Sequence, residues 1–358
     1  MTPTNSDPRA AVSAIAVPAL SDWLSRHLPG FRGPLTVQRF EGGQSNPTFA
    51  LDTPGARYVM RCKPAPAAQL LPSAHAIERE YRVMSALRAS PVPVPEMLCL
   101  CEDERVIGRA FYIMSRVEGR IWWDQSLPGL SPDQRRDVYR EMNRVLAALH
   151  ALDPERLGLS DYGRAGNYFA RQIKRWSEQY QASVTEPIPE MDRLIDWLPE
   201  HLPALVQEPG AVSIVHGDYR LDNLVFHPTQ PRVIAVLDWE LSTLGHPLAD
   251  FSYHCMAWHI PPGAFRGIGG LDLNALGIPG ESEYIAQYAQ QFGRYSAEQI
   301  RQEWNYLLTY NLFRMAAILQ GIAKRIELGT AASAQAKQAA AGARPLAQLA
   351  WQLAQRTT

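Results

Sequence analysis

The sequence predicts an α+β fold, with a small antiparallel β-sheet lobe that carries one helix and a larger, mainly helical lobe after it. Three observations lead there. Residues 35–62 read as short β-type runs divided by turns, helical periodicity dominates after Gly119, and a compact β-rich island, Val212 to Glu240, interrupts those helices. The first lobe spans residues 1–115, of which 1–33 are an N-terminal extension and helix. The second spans 116–358 and contains the island, with its functional segment at 213–240.

Taken in order, the first element is a short amphipathic helix around Leu20 to His27, closed by Pro29-Gly30. Leu35–Phe40 then reads as a strand, Glu41–Asn46 as a glycine-containing turn and Thr48–Thr53 as a second strand. A turn at Pro54-Gly55 leads to a third strand, Arg57–Cys62, so the three form an antiparallel meander. Ile77, Tyr81, Met84 and Leu87 recur at helical spacing within Ser73–Ala89. Pro91, Pro93 and Pro95 break the chain before two more strand-like runs, Glu96–Asp103 and Val106–Gly119. Helices are expected over Ser131–Leu152, with Ser131 as N-cap ahead of Pro132, over Asn167–Ser183 and over Pro189–Leu205. More come from Glu281 onward, the last stretch being divided by Gly342 and Pro345.

Composition excludes several classes of partner. Basic and acidic residues number 35 and 36, so no net field favours nucleic acid or an anionic membrane. No run of about 18 apolar residues exists, and Pro18 interrupts the apolar stretch Ala10–Leu20, which also lacks a basic start; neither a membrane span nor a signal peptide is expected. Cys62, Cys99, Cys101 and Cys255 have the spacing of neither a disulfide framework nor a zinc site, so reduced thiols and a cytoplasmic location are expected.

The chemistry concentrates in His216-Gly217-Asp218-Tyr219-Arg220-Leu221-Asp222-Asn223 and in Val236-Leu237-Asp238-Trp239-Glu240. Each follows or ends a short apolar strand, so two carboxylates and an amide are expected to project from neighbouring strand ends. Hard oxygen donors of this kind suit Mg²⁺, which takes one or two protein carboxylates and leaves positions for phosphate oxygens. Phosphoryl transfer uses such a set, with one acid near the attacking hydroxyl and an Asn and an Asp on the metal.

The HGDxxxxN segment followed by Asp238-Trp239-Glu240 resembles the aminoglycoside phosphotransferase and choline kinase-like family, relatives of the protein kinases. The wording of 216–251 is similar to the kinase-like domain fused to some acyl-CoA dehydrogenases. The resemblance runs over roughly Leu35 to Met315 and is most specific over 216–250. It implies a protein kinase-like fold, ATP and Mg²⁺ as cofactors, and transfer of the γ-phosphoryl group to a hydroxyl of a small molecule.

By motif, the resemblance makes Asp218 the catalytic carboxylate and Asn223 and Asp238 the magnesium ligands. His216 braces the loop, and Asp250 caps the following helix while bonding back to the loop. Asp222 and Glu240 are left without a firm role, Glu240 as a water-mediated neighbour of the metal or a solvated residue. Gly42, Gly43, Ser45 and Asn46 sit where a phosphate-covering loop belongs. Arg61 and Lys63 share strand parity, and either could meet the α/β-phosphates; Arg61 is preferred because it puts Val59, small and apolar, against adenine. Glu80 is the acidic partner, with Glu78 a solvated face residue. Met114 is expected behind adenine, with the Ser115 carbonyl and Val117 amide on its edge.

The acceptor is the least legible part. From Phe251 onward six acidic residues face nine basic ones, which argues against a polycationic aminoglycoside and for a neutral or anionic hydroxylated metabolite, with a hydroxyacyl-CoA suggested by the resemblance. A non-catalytic nucleotide-binding module and a true aminoglycoside phosphotransferase are the alternatives. No Ala-Pro-Glu anchor comes after the Asp238 segment, so a peptide substrate is not expected.

Overall fold

The computed structural model describes residues 15–40, 46–64, 76–164, 166–208, 211–263, 267–330 and 334–357. Two compact units emerge, Met1–Glu118 with Leu237–Glu240, and Gly119–Val236 with Leu241–Thr358. The boundary thus falls after Glu118 instead of Ser115. The physical reason is local: Glu118 accepts a 2.9 Å bond from Arg57, and the Arg116 amide bonds the Arg57 carbonyl. Leu237–Glu240, expected with the second lobe, belongs to the first.

In the first unit, helix α1 (Val17–His27) precedes strands β1 (Thr36–Arg39), β2 (Thr48–Asp52) and β3 (Arg57–Cys62). Helix α2 (Ile77–Leu87) leads to β4 (Met97–Cys101) and β5 (Phe111–Ser115). The sheet is antiparallel in the order β1-β2-β3-β5-β4. Because strand side chains alternate, its two faces differ in kind. Phe49, Leu51, Met60, Cys62, Phe111 and Ile113 bury one face against Leu20, Trp23 and Leu24 of α1. Each such burial contributes roughly 1.5–3 kcal/mol. The other face aligns Thr48, Arg61 and Tyr112 in one cross-strand row and Ala50, Val59 and Met114 in the next.

The second unit begins with α3 (Pro132–His150), α4 (Tyr168–Ser183), α5 (Pro189–Glu200) and α6 (Ala204–Gln207). The helix expected over 189–205 therefore divides, since the residue before Pro203 is disfavoured in helical geometry. Strands β6 (Ser213–Val215), β7 (Leu224–Phe226), β8 (Val233–Val236) and β9 (Thr243–Gly245) pair as β6-β9 and β7-β8, both antiparallel. The remaining helices are α7 (Pro247–Cys255), α8 (Leu273–Leu276), α9 (Glu281–Phe292), α10 (Ala297–Gln302), α11 (Trp304–Glu327), α12 (Ala334–Ala340) and α13 (Ala343–Ala354). Helix α11 is buried on most sides because it packs against α4, α7 and α13, and its buried Asn311 donates to the Ala249 carbonyl and the Ser252 hydroxyl of α7.

All four cysteines are free thiols, and burial pushes those of Cys62 and Cys99 up to about 12. Among the described residues, no helix is long and apolar enough to cross a membrane.

Helix α3 carries a complete capping box, in which the Ser131 hydroxyl accepts from the Gln134 amide and the Gln134 side chain accepts from the Ser131 amide. Ser131→Ala is expected to cost about 1 kcal/mol in denaturant unfolding without abolishing folding.

Candidate active site

On the polar face of the first unit's sheet, Arg61 is the organising cation. It lies two residues past Val59 on β3, with a side chain only 14% exposed. Its Nε stands 3.1 Å from Glu80 Oε2, and its Nη2 donates to Asp238 Oδ1 at 2.8 Å and to Glu240 Oε2 at 3.0 Å. Glu80 is almost fully buried on α2, where Asn46 Nδ2 donates to one oxygen at 2.9 Å and the Tyr112 hydroxyl to the other at 3.1 Å. Burial pushes the Glu80 carboxyl up to about 7 despite the guanidinium beside it. Asp238 holds a left-handed backbone, φ 64°, which Asp tolerates better than most residues and which turns the chain after β8.

One guanidinium therefore meets three carboxylates. Asp238 is the carboxylate of this cluster whose hard oxygen donors fit a divalent cation of the magnesium type, which needs few protein ligands. Among the described residues no three His, Cys, Asp or Glu side chains gather as a metal cage.

Other residues of the first unit depart from expectation. Glu240 is an ion-pair partner of Arg61, where a solvated or water-mediated position was expected. Glu78, expected as a solvated face residue, pairs with Lys63, because both stand where β3 and the first turn of α2 can meet. Met114 lies opposite Val59 in the sheet register. The Ser115 amide donates to the Glu96 carbonyl and its hydroxyl accepts from the Glu96 amide, which ties β5 to the start of β4. Val117, two residues on, is half-buried. Gly42, Gly43 and Ser45 lie outside the described residues.

The second unit presents Asp218 in the loop after β6. Gly217 adopts φ 82°, and a Cβ there would come within 2.7 Å of the Leu241 carbonyl, so the turn requires glycine twice over. The buried Asp250 accepts the amide of His216 at 2.6 Å and of Gly217 at 2.9 Å. It also meets His150 Nε2 at 3.2 Å, while His150 Nδ1 lies 2.7 Å from the Tyr288 hydroxyl. Burial alone would raise the Asp250 carboxyl, but these partners hold it below the usual carboxylate range. Asp250 lies inside α7, and the cap is His246, whose Nδ1 accepts the Leu248 amide. The expected bond back to the loop is present, while the capping role belongs to His246.

His216 Nδ1 accepts the Asp218 amide at 3.2 Å, which braces the turn from inside. Asn223, in a 3₁₀ turn ahead of β7, donates through Nδ2 to the Asp218 carbonyl at 2.9 Å and to Asp218 Oδ2 at 3.2 Å. Asp218 Oδ1 receives the Tyr253 hydroxyl at 2.5 Å and lies 3.1 Å from Arg220 Nε. Arg220 also meets Asp222 at 3.4 Å, so Asp222 serves as the second carboxylate of that ion pair. The sequence analysis gave no role to Arg220 or to Tyr253. The position of Arg220 two residues after Asp218 was the available signal.

Residues 36–303 match the model of the phosphotransferase enzyme family. A solved Ralstonia eutropha protein, provisionally named an aminoglycoside phosphotransferase, is 57% identical, with a TM-score of 0.87 over 96% of this chain and 99% of that one. An aminoglycoside phosphotransferase solved with AMP-PNP and hygromycin B is 17% identical and shares the kinase-like fold, with a TM-score of 0.60 over 94% of this chain and 98% of that one. Acyl-CoA dehydrogenase family member 10 of Mus musculus is 44% identical over 97% of this chain, which spans 32% of that relative's length. The match over most of the chain, joined to the loop built around Asp218 and Asn223, places the protein in the phosphotransferase enzyme family.

Proposed function

We propose that the protein transfers the γ-phosphoryl group of ATP to a hydroxyl of a small molecule, with Mg²⁺ as cofactor. The observation that carries this reading is the Asp218 loop, in which Asp250 holds two consecutive backbone amides and Asn223 holds both the carbonyl and the carboxylate of Asp218. A carboxylate so restrained suits the acceptance of a hydroxyl proton as the new phosphate ester forms.

The other roles belong to the same reading. Arg61, tethered by Glu80, would meet the α/β-phosphates, while Asn46 joins the strand-connecting loop to Glu80. Gly42, Gly43 and Ser45 are assigned to that loop by motif alone. Val59 and Met114 would offer an apolar surface to adenine, with the Ser115 carbonyl and Val117 amide on its edge; Lys63, engaged by Glu78, is assigned a supporting part. Asn223 and Asp238 would hold Mg²⁺, which when bound neutralises charge on the phosphate oxygens. The cytoplasm is the compartment that ATP use and free thiols favour.

For the acceptor we infer a neutral or anionic hydroxylated metabolite, given the basic excess of the C-terminal part. A hydroxyacyl thioester of coenzyme A is the candidate favoured by the likeness to an acyl-CoA dehydrogenase family member.

Asp218→Asn should lower transfer by about 100- to 10,000-fold while leaving ATP-Mg²⁺ affinity close to wild type, measured by product formation and by calorimetry. Transfer undiminished in this variant would remove Asp218 from the base role. Arg61→Met should behave in the opposite way, weakening nucleotide binding about 10- to 100-fold in the same calorimetric titration. Wild-type affinity there would reassign the phosphate contact to another cation.

A further inference from the structure

We infer that Tyr253 is a positioning residue for the reaction, the group that sets the direction of the Asp218 carboxylate. The inference rests on the assignment of Asp218 as the base and adds to it a residue that the motif does not contain.

The geometry begins with the 2.5 Å bond from the Tyr253 hydroxyl to Asp218 Oδ1. Tyr253 is held independently of that bond. It belongs to α7, the helix whose Asp250 anchors the His216 and Gly217 amides, so one rigid element fixes both the backbone of the loop and the carboxylate it presents. The residue is 6% exposed, and the Arg314 guanidinium stands 5.1 Å from its ring centroid. Arg314 is itself buried and fixed, donating to the Gly217 carbonyl at 2.9 Å and lying 5.7 Å from the Trp176 ring. A buried cation thus spans the loop backbone and the face of the tyrosine that orients the loop's side chain. Burial, and the Asp218 charge next, hold the phenol well above its ordinary value, so it remains a hydrogen-bond donor.

The groups that engage Asp218 are not equivalent. Tyr253 and Asn223 are buried, whereas the Arg220 side chain is 35% exposed and also shares itself with Asp222. Tyr253 and Arg220 both line a small pocket with Gln125, Met256, Ile260 and Met315. An acceptor hydroxyl approaching from this side exchanges with the exposed guanidinium on Oδ1, while Tyr253 and Asn223 keep the carboxylate from rotating with it. No atom of Tyr253 enters the chemistry. Its effect is to raise the fraction of encounters in which Asp218 already faces the hydroxyl.

The test compares Tyr253→Phe and Tyr253→3-fluorotyrosine, the latter introduced at this one position, with wild type and Asp218→Asn. Any acceptor identified by ATP-dependent phosphorylation serves, with thermal unfolding followed in parallel. We expect the phenylalanine variant to lose about 10- to 100-fold in kcat, with KM for ATP unchanged and KM for the acceptor altered less than kcat. The fluorinated residue keeps the hydroxyl and should retain most of kcat. Equal losses in both variants would make the effect one of packing and overturn the inference, as would wild-type kcat in the phenylalanine variant. If Asp218→Asn were itself fully active, the base assignment would fall first. If Asp218→Asn were inactive and Tyr253→Phe fully active, only the inference about Tyr253 would fall.

Discussion

A single buried carboxylate, Asp250, is the constraint on which the rest of the candidate site depends. Two successive amides can converge on one carboxylate only if the chain turns sharply as it leaves them. Gly217 supplies that turn at a backbone angle other residues resist. Placing a charge where water cannot reach is costly, so Asp250 would be a liability without its partners. The two amides and His150 offset that cost, and the carboxyl stays ionised. Once the loop is held in this way, Asp218 can emerge from it in one orientation, and Asn223 closes the turn from the other side. The rigidity of a reactive side chain is inherited from an unreactive one.

The first unit solves a different electrostatic problem. Arg61, Glu80, Asp238 and Glu240 carry one positive and three negative formal charges in close contact. The imbalance is tolerated in part because Tyr112 and Asn46 donate to Glu80, spreading its charge over neutral donors. Burial raises the Glu80 carboxyl to about 7, which marks how near this cluster is to giving up a charge. Under the proposed function, a carboxylate-rich cluster of this kind would favour the divalent cation that accompanies a polyphosphate. The same guanidinium that would be inadequate alone becomes one part of a larger set.

Much of this was legible in the sequence, for reasons of periodicity and spacing. Strand alternation alone puts Val59 and Arg61 on the same face, and the sheet register adds Tyr112 and Met114 to that face. The helix starting at Pro132 announces itself through Ser131 and Gln134. Contacts that depend on tertiary geometry were not legible. Glu240 reaches Arg61 only because the backbone at Asp238 turns left-handed, and the bond spans 179 positions of sequence. Tyr253 reads as one aromatic among many until α7 is docked, when its hydroxyl arrives at Asp218. Glu78 looked like a solvated charge, and Lys63 like an alternative phosphate contact, because their pairing depends on where α2 begins relative to the end of β3.

The most direct measurement of phosphoryl transfer by this protein is ³¹P NMR of the chain incubated with ATP, Mg²⁺ and a panel of hydroxylated metabolites that includes hydroxyacyl-CoA thioesters. We expect a phosphomonoester resonance that grows in step with ADP for at least one acceptor and does not form when the metal is chelated beforehand. ATP bound tightly, with no phosphomonoester from any member of the panel and phosphate released only to water, would contradict the assignment.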